Sequence, residues 1–375
     1  MLQGSRRRFL VWCSSLLALK TAASQRVRAA GPDATSLKTA IEKGATFLQS
    51  SQSPDGTWTA PTALGITAIA THALLVSDVP VDNRAVASGL AVLKAHRQPD
   101  GGVYHPKSTH RNYETSLAVL AFSSANADGR FNEDIEKAVS YLKEVQWDEA
   151  EVGDRSHASF GGAGYGSHSR PDLSNTMFFL EALQAAGISS HDAAVQNALV
   201  FVSRCQNLPS EHNTTPHADK VKDGGFYYTP AAGGSSMAGT TPDGGLRSYA
   251  SMTYAGLKSM IYAGVNPDDP RVKSALEWIS RFYTLDENPG MGQQGLYYYY
   301  QVFAKALETL GQDQFVDSSS RSHDWRKELA EKLFSQQKPN GSWINETTRW
   351  YEGDPNLVTA YSLIALSRCR TPSAS

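Results

Sequence analysis

Five times along this chain a glycine-bearing turn with an aromatic residue beside it separates two helix-length segments. The turns are Gln52-Ser53-Pro54-Asp55-Gly56-Thr57-Trp58, Gln98-Pro99-Asp100-Gly101-Gly102-Val103-Tyr104, Phe160-Gly161-Gly162-Ala163-Gly164-Tyr165, Asp223-Gly224-Gly225-Phe226-Tyr227 and Gln337-Lys338-Pro339-Asn340-Gly341-Ser342-Trp343. Asp-Gly and Asn-Gly allow a tight reversal, and the aromatic ring can plug the joint between neighbouring units. A recurrence of this kind marks a repeat architecture, in which no single unit can bury its apolar face alone and neighbours must stack.

The segments before the turns are amphipathic. Val86, Leu90 and Leu93, then Ile135, Val139 and Leu142, then Val272, Leu276 and Ile279 keep the i, i+4, i+7 spacing that puts three side chains on one helix face. Charged faces such as Glu133, Asp134, Glu136, Lys137 and Lys143 lie opposite. The segments after the five turns, about 63–76, 113–125, 173–186, 249–262 and 357–366, and a sixth of the same kind, 296–310, carry little charge, as helices packed on several sides do. The contrast predicts an inner and an outer shell. The last unit keeps its aromatic turn and an apolar helix, with no polar capping helix, so stacking is expected to close into a ring. The expected fold is all-α, a closed (α/α)6 toroid of six helical hairpins, as one domain over 36–370.

The strings Gln52-x3-Gly56-x-Trp58 and Gln337-x3-Gly341-x-Trp343 resemble the repeats of the prenyltransferase and squalene-cyclase superfamily. That resemblance implies the α/α toroid over nearly all of residues 36–370. It does not extend to the family's chemistry. Triterpene cyclases that start by protonation use Asp-x-Asp-Asp, whereas Asn266-Pro267-Asp268-Asp269 lacks the first aspartate. Protein prenyltransferase β-subunits use an Asp, Cys and His zinc set, and neither Cys205 nor Cys369 stands at an inner-helix start, so no metal ligands and no cofactor are expected. The Cys-Gly-Glu-Gln of thioester domains is missing as well.

Residues 5–10 read Ser-Arg-Arg-Arg-Phe-Leu and run into an apolar stretch too short to span a bilayer, with Val27-Arg28-Ala29 after it. This has the order of a secretory signal and resembles the bacterial twin-arginine type, with cleavage after Ala29. A periplasmic or secreted protein with no stable membrane span follows as the expectation. Cys205 and Cys369 then remain, and two inert buried thiols are expected rather than a disulfide framework. With 35 Lys+Arg against 37 Asp+Glu in 375 residues, a nucleic-acid surface is not implied.

In such a toroid every inner helix starts at the same end, so unpaired N–H groups surround one mouth. Arg111, Arg170, Arg247 and Arg349 fall just before or near those starts, with His105, His110 and His168 on the same rim. They suit an anionic ligand, carboxylate or phosphate; the plainer alternative pairs Arg170 with Asp172 and Arg349 with Glu352. Glu114 and Asp172 are the acid or base candidates, although the simplest task of these two and of Asp354 is to favour or cap a helix N-terminus. Tyr249 and Tyr297 are the expected wall residues, from a rim that also holds Tyr104, Tyr113, Tyr165, Phe226, Tyr227 and Trp350. Of Tyr297 to Tyr300, at most two can face the cavity. Three functions stay open: a cavity-based handler of an apolar, terpenoid-like ligand, a lyase or hydrolase acting on an acidic glycan, and a non-enzymatic binding domain.

Overall fold

The computed structural model describes residues 31–166 and 169–371. The signal-like segment and His168 lie outside the described residues. Six outer helices are α1 (Ala34–Ser51), α3 (Arg84–Ala95), α5 (Asn132–Glu144), α8 (Ala193–Arg204), α10 (Pro270–Phe282) and α12 (Trp325–Gln336). Six inner helices are α2 (Leu64–Val76), α4 (Arg111–Ser124), α7 (Leu173–Ala185), α9 (Ala250–Tyr262), α11 (Leu296–Thr309) and α13 (Pro355–Arg368). The one-turn helix α6 (Glu149–Val152) and a short antiparallel hairpin, β1 (Phe315–Val316) with β2 (Ser322–His323), decorate the connections.

Burial separates the shells as the charge pattern predicts. Helix α10 buries only Val272, Ala275, Trp278 and Ile279, whereas α9 buries every residue from Ala250 to Met260. The inner helices touch in the order α2, α4, α7, α9, α11, α13, and α13 returns to α2. The ring is closed.

The turns show what that closure is made of. In four of them the glutamine amide donates twice, once to the carbonyl of its own turn glycine and once to a carbonyl of the next outer helix. Gln52 reaches Ala85, Gln146 reaches Ala194 and Gln206 reaches Arg271. Gln337, in the last unit, reaches Ala40 of α1 at 2.9 Å. The first helix therefore receives from the last turn the bond that every other repeat boundary of this type uses. The turn glycines have φ between +78° and +89° (Gly56, Gly101, Gly161, Gly224, Gly341), and a Cβ at any of them would press on a backbone carbonyl of the following outer helix. Both the backbone conformation and the close approach require glycine.

A threonine completes each joint. The N–H of Trp58, Val103, Ala163, Phe226 and Trp343 donates to the hydroxyl of Thr67, Thr115, Thr176, Thr253 and Thr359, all in the first turns of inner helices. The remaining connection, 283–295, is built differently: the Asn288 side chain accepts from the Ser251 N–H and so caps α9 from the neighbouring unit. Cys205 and Cys369 are buried free thiols. Among the described residues no helix is long and apolar enough to cross a membrane.

Candidate functional site at the toroid mouth

The inner-helix N-termini and the long connections meet at one end, and hydrogen bonds tie neighbouring loops together there. The Asn112 N–H donates to the Tyr165 carbonyl and its amide to the Gly164 carbonyl, fastening the start of α4 to the third connection. The Leu173 N–H donates to the Tyr228 carbonyl and the Thr229 hydroxyl to the Pro171 carbonyl, fastening α7 to the fourth. Tyr165 thereby stands 4.8 Å from the His110 ring and 6.2 Å from that of Tyr113. Glu114, Asp172, Arg111 and Arg170 belong to this side of the mouth.

The carboxyl groups are engaged, and those of Glu114, Asp172 and Glu352 are buried. Asp172 caps α7, accepting from the Asn175 N–H at 2.9 Å and from its amide at 2.7 Å. Asp354 caps α13 in the same way, ahead of Pro355 at N1. Glu114 accepts from the His105 N–H at 3.0 Å and the Ser108 hydroxyl at 2.7 Å, so it organises the loop that precedes its own helix. Glu352, not picked out as an acid from sequence, accepts from the Tyr298 N–H and the Asn345 amide, both at 2.7 Å, and thus caps α11 from the adjoining unit. Burial pushes Glu114 and Glu352 up to about 7 and Asp172 up to about 6, against the opposing pull of these hydrogen bonds.

A raised carboxyl pKa means that the folded state holds a proton the unfolded chain releases near pH 4.5. Stability from this group is complete below that pH and is lost as pH rises through 7. Glu114→Gln, which cannot titrate, is therefore expected to gain up to ~3 kcal/mol on the native protein between pH 4.5 and pH 8. Urea midpoints measured at both pH values check this. Parallel pH dependence of the two proteins would remove the assigned shift.

The arginines behave otherwise. Arg97, Arg271, Arg326 and Arg368 elsewhere are ion-paired. Among the described residues Arg111, Arg170, Arg247 and Arg349 form no ion pair within 4.0 Å, so the pairings of Arg170 with Asp172 and of Arg349 with Glu352 are not made. Arg111 lies over Tyr104 at 5.0 Å, Arg170 over Tyr228 at 5.5 Å and Arg349 over Trp350 at 4.3 Å. Arg247, exposed on the fourth connection, holds the Thr240 carbonyl. Beside Arg349, Trp350 and Tyr351 are both in the left-handed region, with φ of 55° and 65°. That conformation costs a non-glycine residue about 1–2 kcal/mol.

Below the rim, aromatic side chains meet across the axis. Tyr113 of α4 stacks edge-on against Phe178 of α7 at 5.2 Å, Phe178 lies 6.3 Å from Tyr298 of α11, and Tyr298 lies 6.1 Å from Tyr361 of α13. The hydroxyls of Tyr361 and Tyr113, 3.4 Å apart, complete the circuit. Gly65 makes room for it on α2, since a Cβ there would lie 3.0 Å from the Tyr113 ring. Of the tyrosine run, Tyr298 is the one that crosses the lumen, bonding Ser174 at 2.8 Å. Tyr299 and Tyr300 donate to the carbonyls of Thr284 and Leu285, and Tyr297 packs edge-on against Tyr300. Tyr249 is buried at the start of α9.

Deeper still, Glu181 of α7 is held between Lys258 of α9 and Lys305 of α11, and all three are buried. Sequence reading missed this triad. Its signal was present, because these are among the few charges inside otherwise uncharged inner helices. Among the described residues no group of three or more His, Cys, Asp or Glu is placed to hold a metal ion.

No protein-family model and no curated protein matches the chain. Solved structures do. A type II terpene cyclase from Scytonema, MstE, in complex with geranylgeranyl dihydroxybenzoate, superposes with a TM-score of 0.57 at 12% identity, over 89% of this chain and 97% of that one. A D-mannose isomerase matches with 0.52 at 12% over 90% and 96%, and a glycosyl hydrolase family 88 protein from Bacteroides vulgatus with 0.54 at 8% over 89% and 98%. The chain has the α/α toroid fold. At these identities the likeness is one of fold, shared by proteins of different chemistry.

Proposed function

We propose that the mouth of the toroid binds an acidic glycan, with uronate carboxylates on the arginines and pyranose rings against the tyrosines. The observation that carries this reading is the set of four guanidinium groups that, among the described residues, have no carboxylate within ion-pair distance, beside a floor of aromatic rings. Guanidinium matches carboxylate geometry, whereas the N-termini of α7, α9, α11 and α13 are already taken by their own side-chain caps. The aromatic circuit of Tyr113, Phe178, Tyr298 and Tyr361 favours a ligand that lies across the mouth over an isoprenoid threaded down the axis.

Glu114 and Asp172, partly protonated near neutral pH, are the acids at hand, but their oxygens are already committed to loop and cap hydrogen bonds. Binding, rather than turnover, is the function this geometry supports. Under the same proposal the protein works outside the cytoplasm after residues 1–29 are removed.

Calorimetric titration with tetragalacturonate, with cellotetraose as the neutral control and geranylgeraniol as the apolar one, tests the reading. The acidic oligosaccharide is expected to bind, more weakly as salt rises, and Arg170→Ala and Arg247→Ala are each expected to weaken it by roughly tenfold or more. Equal affinity in all three proteins, or binding of geranylgeraniol alone, would overturn it.

A further inference from the structure

Trp350 and Tyr351 stand immediately ahead of two firm anchors. Glu352 is buried and bonded to α11 and Asn345, and Asp354 caps α13 while its N–H donates to the Tyr351 carbonyl at 2.9 Å. The two residues just before them have left-handed backbone and large side chains turned outward, 42% and 76% exposed. Glycine would satisfy this backbone without strain, and among the described residues no hydrogen bond holds the Tyr351 side chain.

Strain retained at exposed aromatic residues points outward, to something these rings meet. Trp350 is steadied by Gly295, where a Cβ would come within 3.1 Å of the indole, and by the Arg349 guanidinium over its ring. Arg349 in turn is held by Gln294 at 2.5 Å and lies 3.8 Å from the Met237 sulfur, at the edge of the fourth connection. A flat apolar surface and a cation with no carboxylate partner among the described residues are thus placed side by side on the α11–α13 side of the rim.

We infer that Trp350 and Tyr351 form a stacking subsite for a pyranose ring of an acidic glycan, with Arg349 beside it to receive that sugar's carboxylate. The inference rests on the acidic-glycan reading of the mouth and adds the place where the chain of sugars leaves it. A pyranose presents a C–H face that packs on an aromatic ring, and a uronic acid carries its charge at the ring edge, within reach of a neighbouring guanidinium.

Tyr351→Gly separates this role from a structural one. Relief of left-handed strain is expected to leave the thermal midpoint unchanged or raise it by about 1–2 °C, while affinity for tetragalacturonate falls by roughly tenfold. Trp350→Gly is expected to weaken binding at least as much. A midpoint lowered by several degrees in Tyr351→Gly would make the ring structural and overturn the subsite. Unchanged affinity in both glycine variants, with Arg170→Ala still impaired, would also overturn it while leaving the mouth reading intact. Failure of the native protein to bind any acidic oligosaccharide would remove both.

Discussion

Glu181→Gln is expected to destabilise the protein by about 3–5 kcal/mol at pH 6, because it strands two buried lysines without their carboxylate. Lys258 is fully buried and Lys305 nearly so, and both take Glu181 as their acceptor. One carboxylate balances one ammonium, so the electroneutral state of the triad holds one ammonium and one amine. Burial accordingly lowers both lysines, Lys305 to about 7, with the charge of Lys305 adding to the effect on Lys258.

For a lysine whose pKa falls on folding, the unfolded chain holds protons that the folded one sheds, and stability from this source rises with pH from about 7 to 10. Without Glu181 neither lysine is held as an ammonium in the folded state, so the variant sheds one more proton on folding than the native protein. Its stability rises more steeply over that range and its deficit shrinks, which urea titrations at pH 6 and pH 9 would reveal. Replacing all three groups with apolar ones, Glu181→Leu with Lys258→Met and Lys305→Met, is expected to recover most of the loss or exceed the native stability. A single variant as stable as the native protein at pH 6 would show that the triad carries no buried charge.

Trp343→Ala is expected to cost about 3–5 kcal/mol, as much as Trp58→Ala, although Trp343 belongs to the last repeat. Each indole is fully buried and donates to a carbonyl ten residues earlier, Trp343 to Leu333 and Trp58 to Leu48, both at 2.8 Å. Each also rests on a glycine of the next outer helix, Gly44 for Trp343 and Gly89 for Trp58. In an open superhelix the terminal tryptophan would have no following helix, and its removal would be cheap. Chemical denaturation of the two variants decides the matter. A loss under about 1 kcal/mol for Trp343→Ala beside a full loss for Trp58→Ala would contradict ring closure.

The repeat, the two shells and the single closed ring were legible before any coordinates, because they rest on local pattern. A charge-poor helix must be surrounded, and an aromatic turn kept at the last unit must have a neighbour to plug. Inner-helix ends matched expectation within about two residues, as at Leu173–Ala185 and Leu296–Thr309. Gln52 and Gln337 stood in the turn strings, whereas Gln146, Gln206 and the joint threonines lay outside them, and the partners of all these residues lie in the next unit or across the turn. Only the folded joint shows that Gln337 bonds α1 as Gln146 bonds α8.

The site was legible as a set of residue types and not as a geometry. Spacing placed Arg111 and Arg170 at the rim, but whether each would find a carboxylate depended on where Glu114 and Asp172 turned. Both turned to backbone N–H groups of their own loop or helix, leaving the guanidinium groups to aromatic faces. Hydrophobic periodicity thus sufficed for the ring, since burial is non-directional and summed over many residues. The bond from Tyr298 to Glu352, the crossing of Tyr298 to Ser174 and the meeting of Glu181 with Lys258 and Lys305 depend on directional contacts between residues 54 to 124 positions apart. Such contacts exist only once the ring has closed, and it is tertiary structure that selects them.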